Sequence, residues 1–191
     1  MVRKIKKFII KNDNGSVEYV ACLFVLLIVI VFILASVGLR FAKLNKNYVD
    51  DGITASLLAS EVYNVSDYLQ GYITINEKEA YKLFFSTLKK NLNLDDDCVS
   101  LDGEYFTHIT ISDFIVYNVK DSDVYEYIYT SNGSYTTQVY QNSVGSLSTP
   151  NGDIIEKSSA YAKVIVYIND FYNVDFDPMQ IDKFVSLVGN E

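Results

Sequence analysis

From Tyr19 to Leu39 the chain carries no charged side chain, and Leu23 through Leu34 is an unbroken apolar run. A helix of that length rises about 31 Å, which matches the ~30 Å hydrocarbon core of a bilayer. No polar stripe interrupts it, and a water-soluble helix needs one. The pattern predicts a basic leader over 1–15, a transmembrane helix over 16–40 and a separate domain over 41–191.

Helical spacing continues beyond the span. Phe41, Leu44, Tyr48, Ala55, Leu58, Val62, Val65 and Leu69 recur at intervals of three, four and seven, which predicts a helix over 41–70. Asp50-Asp51-Gly52 interrupts the stripe and marks a kink. The short stripe suits a helix laid on its own domain better than a coiled coil. Asn76, with Glu79 three residues on, reads as a helix start. That helix covers 76–92, with Tyr81, Phe84, Phe85, Leu88 and Leu92 on one face and Lys89 and Lys90 in its last turn.

From 104 the period changes to two. Tyr105, Thr107, Ile109 and Ile111 alternate with Phe106, His108 and Thr110, and strands are predicted within 104–168. Asn132-Gly133, flanked by the segments 124–130 and 135–141, signals a hairpin. Asn142 to Lys157 is polar and holds the turn sequence Thr149-Pro150-Asn151-Gly152. Ala160, Ala162, Val164, Val166 and Ile168 alternate with Tyr161, Lys163, Ile165 and Tyr167 in a last strand. Pro178 then opens a short helix over 178–188, with Ile181, Phe184, Val185 and Val188 on one face. Helices followed by strands give an α+β class with an antiparallel sheet.

Composition narrows the function. The 191 residues are 49% hydrophobic and contain only 2 prolines, which excludes a disordered or collagen-like chain. The net charge of −8 conceals a split: residues 1–46 carry +6 and residues 47–191 carry −14. An acidic bulk excludes a nucleic-acid partner. Arg3, Lys4, Lys6, Lys7 and Lys11 precede the span, against Arg40, Lys43 and Lys46 after it. The positive-inside rule then places the N-terminus in the cytoplasm and the acidic domain outside. A cleaved secretory signal is the competing reading, with Ala35-Ser36-Val37-Gly38 as its small-residue site.

Candidate chemistry is sparse. His108 is the sole histidine and stands alone in a strand. Asp95-Asp96-Asp97 with Asp102 and Glu104 fails the EF-hand register, because Val99 occupies position five. Asp170, Asp175 and Asp177 form a second acidic group that reads as a solvated loop. Cys22 lies in the span and Cys98 in the acidic loop, too far apart in depth to bridge. Asn64-Val65-Ser66 and Asn132-Gly133-Ser134 match a glycosylation sequon. No nucleophile elbow, phosphate loop or paired-cysteine motif is present, so no enzyme activity, metal or cofactor is expected. Tyr125, Tyr127 and Tyr129 share one strand face, with Tyr135 and Tyr140 on the partner strand. They suit sheet packing or a subunit contact face.

The junction before the span is more distinctive. Gly15-Ser16-Val17-Glu18-Tyr19 follows a short basic leader and leads into the apolar helix. By generic rules Ser16 caps the helix and Glu18 complements its N-terminal dipole. The whole arrangement resembles the class III signal of type IV pilin-like proteins, closest to TadE-like pseudopilins of tight-adherence pilus systems. The resemblance covers roughly residues 1–70. It implies cleavage by a prepilin peptidase between Gly15 and Ser16, and assembly with other pilin-like subunits in which Glu18 and Tyr19 take part. It also implies that the long helix continues into a pilin-like domain. Glu18 stands third after Gly15 where the family has its glutamate fifth. That offset turns the carboxylate by about 200° and moves it by ~3 Å. The expected function is a membrane-anchored component of a pilus or secretion assembly, acting by subunit packing. The alternative is a single-pass, membrane-tethered ligand-binding or sensor domain outside the cell.

Overall fold

The structure, a computed structural model, describes residues 2–103, 105–168 and 177–187. The chain divides into two compact units, Met1–Lys46 and Asn47–Glu191, and the charge reverses at the same boundary. Helix α1 (Val2–Ser60) contributes to both. It begins at Val2, so Ser16, expected as a cap, lies inside the helix. In the first unit every residue from Glu18 to Gly38 is exposed.

The second unit is α+β. Helix α1 ends at Ser60, and after it come α2 (Val65–Tyr68), α3 (Glu77–Asn91) and five strands. These are β1 (Phe106–Lys120), β2 (Asp123–Tyr129), β3 (Tyr135–Tyr140), β4 (Ser159–Ile168) and β5 (Met179–Ser186). They form one antiparallel sheet in the order β3-β2-β1-β4-β5.

Each face of the sheet carries its own core. On one face α1 and α3 lay Val49, Ile53, Leu57, Ala80, Phe84 and Leu88 against Phe106, Ile109, Phe114, Val116, Val164 and Val166. Phe84 is fully buried and stacks on Phe114 with ring centroids 4.6 Å apart; burying such a ring contributes about 1.5–3 kcal/mol. On the other face Ile115, Tyr117, Val124 and Tyr161 pack with Ile155, Val144 and Leu147. The last three belong to the 142–157 segment, which reads as a polar loop. It folds back as a lid, held by Gly145 N–H to Ile155 O (2.8 Å) and Ile155 N–H to Leu147 O (2.9 Å).

Helix α3 shows why its boundaries fall where they do. The Asn76 side chain accepts from Lys78 N–H, and Glu77 and Glu79 sit in the first turn, where carboxylates complement the dipole. At the other end Asn93 adopts φ 50° and Leu94 N–H bonds back to Lys89 O at 2.9 Å. This closes the end in a Schellman arrangement.

Three expectations are corrected. The helix over 41–70 stops at Ser60, because the chain then pairs as a short bridge, Tyr63 opposite Ile75. Asn64 caps the separate one-turn helix α2. The buried stripe of α1 is Val49, Gly52, Ile53, Ser56, Leu57 and Ser60; Tyr48, Ala55 and Leu58 from the expected seam are exposed. Gly52 sits inside the packed face of the helix, against Leu92. The helix over 178–188 is instead strand β5, because Ile181 pairs Val164 and Val185 pairs Ala160 along β4. Its far end, Val188, lies outside the described residues, as do Glu104, Asp170 and Asp175.

Candidate functional site

The most conspicuous functional feature is the apolar stretch of α1. Glu18–Gly38 has the length and composition of a membrane span, and none of it is buried within the chain. Among the described residues it is the one such helix. Tyr19 (78% exposed) and Glu18 stand at its start, the position at which aromatic rings and snorkelling charges meet the lipid headgroups. Gly15 lies in α1 one turn upstream.

The tyrosines expected to form a contact face are largely occupied inside the domain. Tyr129 is buried and donates its hydroxyl to Glu77 O at 2.5 Å, tying β2 to the first turn of α3. Its ring stacks on Tyr81 and meets Phe114 edge-on. Tyr127 is half-buried and meets Tyr135 at 5.4 Å, and burial first, then Glu77, pushes its hydroxyl up to about 12. Tyr125 stands beside Lys120, whose ammonium lies 5.5 Å from the ring. Aromatics on α3 and β1 thus take up Tyr129, while Tyr125 and Tyr127 remain partly exposed.

The acidic loop after α3 is organised by its own backbone. Asp95 accepts from Asp97 N–H (3.0 Å) and Val99 N–H (2.8 Å). Lys89 pairs with Asp96 at 2.5 Å, and Ser100 and Asn93 bond to Asp102. These carboxylates close a turn. Cys98 sits at its apex with φ 61°, and burial, followed by Asp95, pushes its thiol up, away from a reactive thiolate. His108 stacks on Tyr167 at 4.0 Å across the β1–β4 pair, a structural use of the ring.

Two polar arrangements escaped the sequence reading. Asn118, on β1 and 1% exposed, accepts from Ile75 N–H and donates to Ile75 O, both at 2.8 Å. It fastens the segment before α3 to the sheet. Asp67 on α2 turns inward to Lys120 (2.8 Å) and Thr74 (2.6 Å). Burial would raise its carboxyl, but those bonds and the Lys120 charge hold it below its ordinary value. With the charge turned in, α2 presents Val65, Tyr68 and Leu69 to solvent, the last 82% exposed. Neither arrangement has a local sequence signal, since the partners lie 43 and 53 residues apart.

No protein-family model, curated protein or solved structure matches the chain.

Proposed function

We propose that this chain is a membrane-anchored, pilin-like component of a pilus or secretion assembly of the TadE-like kind, working by subunit packing and not by covalent chemistry. A single observation carries the proposal. The Glu18–Gly38 helix is apolar and exposed along its whole length, directly behind Gly15-Ser16 and a basic leader. Such a surface requires lipid or other apolar helices around it. Leu, Ile, Phe and Val each favour the bilayer centre by about 0.3–0.6 kcal/mol, so Leu23–Leu34 together outweigh the cost of Glu18 at the edge. The leader's cations lie on the cytoplasmic side and the acidic domain outside.

Cleavage after Gly15 removes Arg3, Lys4, Lys6, Lys7 and Lys11. The helix can then leave lipid for a protein core, a step that five hydrated cations resist. The exposed amine at Ser16 meets a carboxylate such as Glu18 of a neighbour. Co-expression with a prepilin peptidase, followed by intact-mass measurement, tests this. Loss of residues 1–15, abolished by Gly15→Leu, is the expected outcome. An uncut chain reduces the protein to a tethered domain, and cleavage near Ser36–Gly38 makes it a secreted one.

A further inference from the structure

The two edges of the sheet are unlike. β5 carries Asp182 and Lys183 at its centre, the lysine bonded to Asp50 of α1 at 2.7 Å and the aspartate to Tyr161 at 3.0 Å. Charges placed along an edge guard it against pairing with another strand. β3, Tyr135-Thr136-Thr137-Gln138-Val139-Tyr140, has no charge, no proline and no irregularity in its pairing with β2. Among the described residues nothing pairs with its outer side, and Thr136 to Val139 are all exposed.

The hairpin fixes which backbone groups point outward. Thr130 N–H bonds Ser134 O at 2.8 Å. Alternation along the ladder then aims the main-chain groups of Thr136, Gln138 and Tyr140 at β2, and those of Tyr135, Thr137 and Val139 outward. Three residues with outward N–H and C=O groups accept an extended strand and nothing else as completely.

We propose that β3 is a strand-addition edge whose occupant is β3 of a second copy, antiparallel and centred on Thr137. In this register Thr137 faces its counterpart, and Tyr135 faces Val139 in both directions. Thr–Thr and aromatic–β-branched pairs are the favourable cross-strand combinations. The pairing covers Val139, which is 51% exposed in the single chain, and exchanges six main-chain hydrogen bonds. Charge selects the same edge. Residues 47–191 carry −14, so two copies approach most easily where neither presents a charge. The pairing does not depend on leader processing or on the pilin-like reading.

Single-cysteine versions of the full chain, in a Cys22→Ala, Cys98→Ala background and in detergent, test the register by oxidative cross-linking. Directly opposed residues of a hydrogen-bonded pair have Cα atoms about 5.5 Å apart, within disulfide reach, so Thr137→Cys should form the disulfide dimer at least about tenfold more than Thr136→Cys. Adding Val139→Lys, on an exposed side chain, should abolish the Thr137→Cys dimer while leaving thermal unfolding unchanged. Equal or absent cross-linking at the two positions, or a cross-link that survives Val139→Lys, would each overturn the proposal.

Discussion

Gly52 of α1 packs against Leu92 so closely that a Cβ at position 52 would fall 2.5 Å from Leu92 Cδ2 and 3.0 Å from its Cγ. Leu92 is 1% exposed and cannot swing into solvent. Gly52→Ala therefore overpacks the core at a cost of about 1–3 kcal/mol, offset by about 1 kcal/mol of helix propensity. The expected result is a net loss on the order of 1 kcal/mol in denaturant unfolding. Leu92→Ala in the same chain should cost less beside Gly52→Ala than alone. Strict additivity of the two substitutions would refute this packing.

Asn118→Ala leaves the N–H and C=O of Ile75 buried without partners. Each orphaned group costs about 1–3 kcal/mol, so a loss of about 2–6 kcal/mol is expected. Amide exchange at Ile75 should accelerate beyond the global effect. A loss within ~0.5 kcal/mol, the range of ordinary surface substitutions, would show that the bridge does not hold the segment.

The Glu61 carboxyl has an oxygen buried with no partner, and burial pushes its pKa from 4.5 to about 7. The folded state then binds this proton more tightly than the unfolded state. Between pH 4.5 and about 7 the folded chain holds more protons, so this group lowers stability as pH rises through that window. Glu61→Gln should flatten the slope and raise the unfolding midpoint at pH 8 relative to the parent. Asp67 acts in the opposite sense: its lowered pKa makes its contribution full at neutral pH and lost only in stronger acid. An unchanged pH profile in Glu61→Gln would remove the assignment.

The membrane reading gives a topology. Alkaline carbonate should fail to extract the chain, and protease added to spheroplasts should digest residues beyond about Lys46. Protection of the acidic domain until lysis would reverse the orientation.

Local signals were legible in the sequence and distant ones were not. Asn132-Gly133 does end a hairpin, with Gly133 at φ 81° closing a three-residue turn, because turn geometry depends on adjacent residues. Asn76 and the Lys89-Lys90 turn marked α3 for the same reason. The inner face of α1 was misread because its buried positions include Gly52, Ser56 and Ser60, which carry little apolar signal. Both serines satisfy themselves on the helix backbone, Ser56 on Gly52 O and Ser60 on Leu57 O. For 178–188, Ile181, Phe184 and Val185 fit a helical stripe as well as an alternating strand. Pairing with β4 decides between them, and no local window contains it. Of the tyrosines read as a contact face, Tyr129 packs on Tyr81 of α3 and Phe114 of β1, partners no local window shows, while Tyr127 meets Tyr135 of β3 and Tyr125 stays partly exposed.

The β1–β4 seam has a kinetic consequence. β1 and β2 are joined at Asp121-Ser122, β2 and β3 at the Asn132 turn, and β4 is followed directly by β5, so these three pairings join consecutive strands. Only β1 with β4 is non-local, matching Tyr117 to Ser159 and Phe106 to Ile168, and it closes a loop of roughly 40 residues or more. A chain that zips β1-β2-β3 and β4-β5 early and joins them last refolds at the speed of that closure. The 142–157 lid lies inside the closing loop. Shortening it would quicken the search only slightly, since closure entropy grows slowly with length, while stripping the cover from Tyr117 and Tyr161. The same segment thus sets the distance the two halves must travel and supplies part of what holds them once they meet.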